Sequence, residues 1–293
     1  MRKVLIKTLT ITVLLLISGS LSYALGSGTT AANFLKIPVG ARAAAMGGAF
    51  TALADDGTAL YWNPAGLARV EKMQLSTVYN MWFQGIKRGY LSLSFPLLGG
   101  EAGLGINYVD TGKIERRDEE GNLIGEVSAS DILTSFGYAQ QLSFDVMSGV
   151  SVGILQETLA ENKKSTYLAN FGLLITTGSF SLGAVYQNIG SNLGREDPLP
   201  FTYRAGVALK FKSFNIAVDA VKAIDEDIYF CAGLEWWIGN ILALRAGYRT
   251  NQDIGSGVSG GIGLRISTIN LDYAYVPYGE LGNAQRISLG IKL

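Results

Sequence analysis

After one apolar run at its start, this chain has no further stretch long enough to cross a bilayer as a helix. Yet to its last residue it is built from segments of roughly ten residues that alternate apolar with polar. Residues 258–266 show the pattern: Val258, Ile262, Leu264 and Ile266 fall on one face, Ser259, Gly261, Gly263 and Arg265 on the other. One face suits lipid and the other suits water. In lipid every backbone N–H and C=O must be satisfied within the protein, and strands achieve this only by closing on themselves. The pattern therefore predicts an all-β chain folded as a transmembrane antiparallel β-barrel.

The opening run has the three parts of a secretory signal peptide. Arg2, Lys3 and Lys7 form a positive n-region, residues 4–17 the apolar core, and Ser22-Tyr23-Ala24 places small residues where a signal peptidase reads them. Residues 1–24 are thus expected to be removed, the mature chain starting near Leu25. No Cys follows the apolar core, which argues against a lipoprotein; a signal anchor kept in the inner membrane is the alternative. Hydrophobic content of 48% with 16% charged residues is high for a soluble domain, but it is dispersed rather than gathered into spans. Cys231 stands alone, so no internal disulfide is possible and the sheet itself must hold the fold. The formal net charge is zero, with no basic stripe of the kind a nucleic-acid partner requires.

From residue 73 the alternation resolves into about fourteen segments. In the first half they cover 73–82, 89–95, 102–110, 130–140, 148–157, 167–176 and 180–187; in the second, 201–211, 214–223, 228–237, 242–249, 258–266, 269–276 and 284–293. Tight turns at 177–178, 212–213, 239–240 and 267–268 alternate with longer polar links at 111–129, 188–200 and 250–256. This is the rhythm of periplasmic turns and external loops; it requires an even strand number and puts both termini in the periplasm. Residue parity gives a second check, because a charge facing lipid at mid-membrane costs about 2–4 kcal/mol. Arg204, Asp219, Glu235, Arg245, Arg265, Asp272 and Arg286 all fall on the polar, lumen-facing parity, as a solvated ladder of mixed sign. Leu133, Leu155, Leu168 and Leu174 also fall inward, where they either line an apolar ligand chamber or pack against a plug.

Size makes a plug necessary. Fourteen strands about 4.8 Å apart and tilted about 40° close to a radius of roughly 14 Å, too wide for side chains alone to fill. Residues 26–70 precede the first strand, lack strand alternation and include the small-residue stretch 41–49. Gly47 and Gly48 permit close backbone approach or positive φ. Pro64 starts a helical turn and keeps Asn63 out of the α region, so the pair is expected to fix a turn that seats Trp62 against the wall, with Tyr61 beside it. Asp55 and Asp56 suit helix capping or pairing with lumen arginines better than a cation site.

The run from Gly40 through Gly47-Gly48, Asp55-Asp56 and Tyr61-Trp62-Asn63-Pro64-Ala65-Gly66 to Ala68 resembles the N-terminal hatch of the FadL superfamily of outer-membrane proteins, and most of all its PorV/PorQ branch. The resemblance implies a fourteen-stranded barrel with an internal hatch, divided here as signal peptide 1–24, hatch 25–72 and barrel 73–293. Two departures stand out: residues 286–293 keep the alternation but end in Leu rather than the Phe of many bacterial barrels, and the chain is much shorter than the fatty-acid transporters. Their ligand residues therefore cannot be carried over.

With no histidine in the chain, Ser-His-Asp and Cys-His catalysis and His-based zinc sites are excluded. The GxGxxG match at 255–260 enters a strand rather than a helix and carries no nucleotide reading. Cys231, on a strand, reads as a structural thiol. The expectation is a non-enzyme without cofactor or metal, in contact with outer-membrane lipid. The resemblance implies a component of type IX-like protein export that binds secreted cargo or partner export proteins. The alternative is a FadL-like channel for hydrophobic small molecules, and a structural or assembly role is a third reading. The charged stretch 113–122, a solvated hairpin turning at Gly121-Asn122 or a partner-binding element, favours export, so deletion is expected to spare fatty-acid uptake and strand exported proteins.

Overall fold

The computed structural model describes residues 26, 28–70, 72–82, 86–194, 197–250, 252 and 254–293; the signal-peptide expectation lies outside them. The first half of the barrel comprises β1 (Gln74–Met81), β2 (Lys87–Leu97), β3 (Gly100–Arg117), β4 (Leu123–Ser143), β5 (Val146–Leu159), β6 (Asn162–Thr177) and β7 (Phe180–Gly190). The second half comprises β8 (Thr202–Lys210), β9 (Phe214–Ala223), β10 (Tyr229–Ile238), β11 (Leu242–Arg249), β12 (Val258–Ile266), β13 (Ile269–Pro277) and β14 (Asn283–Lys292). Each strand pairs antiparallel with its neighbours in sequence, and β1 closes on β14 from Gln74↔Lys292 to Met81↔Gln285. The fourteen-stranded antiparallel barrel that the alternation predicts is the fold.

Gln74 and Lys292 lie together at one rim, called the near end; the opposite rim is the far end. Strand faces follow the expected period of two: β1 reads buried, exposed throughout, with Ser76, Val78 and Asn80 inward and Leu75, Tyr79 and Met81 outward. Around the ring Leu91, Ile106, Phe136, Val152, Phe171, Val218, Leu244 and Ile262 continue an exposed apolar belt, a surface suited to hydrocarbon rather than water.

The long link expected at 111–129 is instead a paired ribbon. β3 and β4 continue past the ring, pairing Lys113 with Ser128 and Glu115 with Glu126, and turn at residues 118–122. A register shift between Asp110 and Lys113 marks where the ribbon leaves the barrel. Alternation fails there because both faces of the ribbon meet water, while the backbone ladder needs no apolar face to form. β5 and β6 also run longer than expected, turning in two residues at 160–161, so the short-long rhythm is broken at that point.

Within residues 26–70 are four short helical pieces: a 3₁₀ turn at Asn33–Lys36, α1 (Ala41–Ala45), α2 (Ala59–Trp62) and a 3₁₀ helix at Pro64–Arg69. α1 packs against β11 to β14 and the Pro64–Arg69 helix against β3 to β6, so the segment bridges opposite sides of the ring. Its own core of Met46, Phe50, Leu53, Trp62 and Leu67 is buried. Gly149 and Gly172 make this approach possible: a Cβ on the first would run into the Pro64 backbone, and on the second into the Asn63 amide.

Candidate functional site: the barrel interior

Most of the residues singled out in the sequence, Arg265 and Arg286 apart, gather where the N-terminal segment meets the wall. Asn63 caps the Pro64–Arg69 helix: its side-chain oxygen accepts from the Ala65 N–H at 3.1 Å, while its amide donates to the carbonyls of Thr51 (3.0 Å) and, on β6, Leu173 (3.2 Å). Pro64 occupies the first helical position, where its missing N–H costs nothing. Ala65 is buried with Met147 and Leu174, and Gly66 passes so close to Ala54 that a side chain there would collide. Trp62 donates its indole N–H to the Val39 carbonyl at 2.8 Å and packs on Phe50, with the Arg204 guanidinium 4.7 Å from its ring. Tyr61 hydrogen-bonds to the Leu35 and Ile37 carbonyls, both at 2.8 Å, beside Arg88. Gly47 adopts φ 67°, and a Cβ there would sit 2.7 Å from the Tyr248 backbone nitrogen; Gly48 also has positive φ, at 86°.

The charges gather into two centres. Arg42 on α1 grips both carboxylate oxygens of Glu235 at 2.8 and 2.9 Å and reaches Asp55 (2.6 Å) and Asp56 (3.3 Å) with its remaining nitrogen. Glu235 also accepts from Arg245 at 2.7 Å, and Arg245 continues to Asp272 at 2.7 Å. Asp56 additionally accepts the Thr58 N–H and hydroxyl, and Lys210 stands 3.6 Å from Asp55. In the second centre, Asp219 accepts the N–H groups of Phe50 and Thr51 and the Thr51 hydroxyl, at 2.6–3.0 Å, and Arg204 joins Asp219 to the Gly48 carbonyl. These bidentate, charge-assisted contacts fix orientation as well as position.

The other two predicted charges lie apart. Arg265 is exposed at the near end, stacked 4.1 Å over Trp237 and bonded to Asn270. Arg286 is buried near the far end, 5.7 Å from the Trp82 ring. Sequence reasoning passed over Arg69 and Arg88. Arg88 lies one residue before the expected start of its strand, although the polar parity of β2 extends to it.

Leu133, Leu155 and Leu168 form one buried apolar cluster with Phe34, Leu35, Val109, Leu193 and Leu199, edged by Ile37 and Ile86. Leu174 packs with Ala65 and Met147. Thus these inward leucines meet side chains of the segment.

Of the cavities at the rims, two lie at opposite ends of the lumen against the N-terminal segment. One, about 310 Å³, lies at the near end among Arg42, Asp55, Asp56, Arg245, Asp272 and Lys292. The other, about 490 Å³, lies at the far end among Lys36, Ile37, Trp82, Glu226, Arg249 and Tyr278. They share no lining residue. At the far end Lys36 and Thr30 bond to Asp225 at 2.8 and 2.7 Å; burial raises that carboxyl's pKa, but these two partners outweigh it and hold it below the usual range. Among the described residues no cluster of metal-binding side chains occurs, and Cys231 is buried.

Residues 19–154 match a family described as "Uncharacterised protein family (UPF0164)". No match is found among curated proteins. Among solved structures, the fold is similar to one described as the CymD monoaromatic hydrocarbon channel, with a TM-score of 0.66 at 15% identity, covering 88% of this chain and 98% of that one. It is similar also to the Pseudomonas putida toluene transporter TodX, with a TM-score of 0.62 at 15% identity, covering 92% and 97% respectively. At such identity the likeness is one of fold. What is shared is the closed β-barrel architecture of these channels; the comparisons do not show the finer PorV/PorQ assignment.

Proposed function

We propose that this protein is an outer-membrane channel for small hydrophobic molecules, with residues 25–72 as its hatch and the near end, with both termini, in the periplasm. The carrying observation is the apolar compartment toward the far end, where Phe34 and Leu35 of the hatch sit among Leu133, Leu155, Leu168 and Leu199. The compartment already holds a phenyl ring, so a monoaromatic hydrocarbon matches it in size and polarity if the 3₁₀ turn Asn33–Lys36 withdraws. The described hydrocarbon channels of like fold support this reading, and the exposed apolar belt supports placement in a membrane.

The experiment is uptake of labelled toluene by cells carrying or lacking the protein. Loss of uptake on deletion, with normally surfaced exported proteins, is the expected result; normal uptake overturns it. Phe34→Ala should open the compartment at a cost of about 3 kcal/mol, part of which toluene restores by filling the space, as read from unfolding with and without toluene. The export role that the motif resemblance implies is the second reading, favoured by one observation, the charged ribbon beyond the barrel with its exposed Lys113–Glu126 pair at 2.6 Å. Exported proteins stranded in the periplasm of the deletion strain would establish it.

A further inference from the structure

We propose that an inward-facing row on β2, β1 and β14, made of Arg88, Asn80 and Arg286, is a binding site for a compact anion. Strand register sets Asn80 directly opposite Arg88 on one side and Arg286 on the other. The three are 3%, 2% and 1% exposed. Donors among them are nonetheless unmatched: Nδ2 of Asn80, Nη2 of Arg88, and Nε and Nη2 of Arg286 have no hydrogen-bond partner among the described residues, and neither does Nδ2 of the adjacent Asn107; the Asn80 Oδ1, also unmatched, is an acceptor and would turn away from an anion.

The contrast with three interior arginines points to a ligand, and a fourth, Arg69, lacks a carboxylate too but spends its donors on the Ala52 and Leu53 carbonyls and the Thr176 and Ser181 hydroxyls. Arg42, Arg204 and Arg245 each meet a carboxylate within 3.5 Å. Among the described residues Arg88 and Arg286 meet none. Arg88 instead donates to Asn107 (3.0 Å) and to the carbonyls of Ile37 (2.6 Å) and Pro38 (3.3 Å), contacts that orient it without cancelling its charge. Two buried guanidiniums flanking one amide are costly without a counter-charge. Water can satisfy the free N–H groups but leaves both charges in place, whereas an anion accepts the bonds and neutralises the charge.

Access and shape agree. Ile37, Pro38, Trp82 and Tyr278 line the far-end chamber. The Trp82 and Tyr278 rings lie 5.5 Å apart beside Arg286, and the Tyr61 ring lies 5.9 Å from Arg88. The row does not itself line the chamber but lies behind its Trp82, Tyr278, Ile37 and Pro38 wall, so the ligand is either a free inorganic anion or the anionic end of a molecule whose body lies along the rings. Both present the same compact anion to the row. The inference stands on the unpaired arginines and does not depend on the channel reading.

The test uses the full chain in uncharged detergent, in gluconate buffer at constant ionic strength, with melting followed as chloride or benzoate replaces gluconate. Wild type and the ribbon variant Lys113→Gln are expected to gain melting temperature saturably with at least one anion, and Arg286→Gln to lose that response. Arg88→Gln should weaken it at least tenfold. Saturation by chloride assigns a free ion; saturation by benzoate alone assigns the anionic end of a larger molecule. No saturable response in wild type, or an undiminished one in Arg286→Gln, overturns the site. Should the arginine variants fail to fold, wild-type crystals grown in bromide and in 4-bromobenzoate decide: anomalous density at the two guanidiniums in either supports the site, and its absence from both refutes it.

Discussion

The two sides of the barrel hold the same N-terminal segment with a different share of charge. On β8 to β13 the grip is polar: Arg42 with Glu235, Asp219 with the Phe50 and Thr51 backbone, and Ser259 accepting the Gly47 N–H at 3.1 Å. On β3 to β6 no described ion pair to the segment occurs: leucines pack on Phe34 and Leu35 and the Asn63 amide reaches the Leu173 carbonyl, while glycines clear the way on both sides, Gly149 and Gly172 for the Pro64–Arg69 helix and Gly233 and Gly247 for Met46 and Gly47. Ion pairs with fixed geometry set rotation and register, because a displaced charge has nowhere equivalent to go. Apolar packing tolerates sliding, because one methyl contact replaces another at little cost. Under the channel reading proposed above, the packed side rather than the ion-paired side is where an apolar guest would enter.

Glu235→Ala should break the comparison most severely. It leaves Arg42 and Arg245 without their shared, fully buried carboxylate, and a loss of about 3–5 kcal/mol is expected in denaturant unfolding from micelles. A cost no larger than that of a surface substitution would show that the polar side does not hold the segment. Gly149→Ala attacks the other side, where the new methyl meets the Pro64 backbone; about 1–3 kcal/mol is expected, together with faster proteolysis within residues 26–70. Unchanged protection would mean that the helix seats elsewhere.

Asn63→Ala removes the helix cap and the link to the Leu173 carbonyl, for about 1–2 kcal/mol. Combined with Pro64→Ala it should raise small-solute conductance while the barrel still forms. Wild-type conductance in the double variant would deny the turn a role in sealing.

The smallest effect concerns pH at the far end. Asp225 is held below the ordinary carboxylate pKa, so its pairing with Lys36 is fully present above the unfolded value of about 3.9 and is lost as pH falls through the lower folded value. Melting temperatures of wild type and Asp225→Asn should differ by a constant amount between about pH 5 and 8 and converge below about pH 4. A difference that persists in acid would assign the stabilisation to packing instead.

Much of the barrel was legible because lipid imposes a rule on each residue separately: outward positions must be apolar, so β1 and β12 announce themselves through alternation alone. Where that rule lapses, legibility lapses with it. The ribbon at 111–129 looked like a loop because water bathes both its faces, and Arg88 was passed over because β2 starts at Lys87, two residues before the start at residue 89 that the alternation suggests. The turn chemistry of Asn63 and Pro64 was equally local, and their sequence order suffices to predict a cap.

What the sequence by itself determined is therefore the closed all-β barrel, its strand number and the inward parity of its charges, since each follows from near-neighbour periodicity against a two-solvent boundary. Only the tertiary structure decided which charges meet. Arg42 and Glu235 are separated by 193 residues, and nothing local marks them as partners. Nor does anything local separate Arg286, which finds no carboxylate, from Arg245, which finds two. Pairing depends on how a closed sheet turns its strands around a folded segment, and that is a property of the assembled ring rather than of any stretch of the chain.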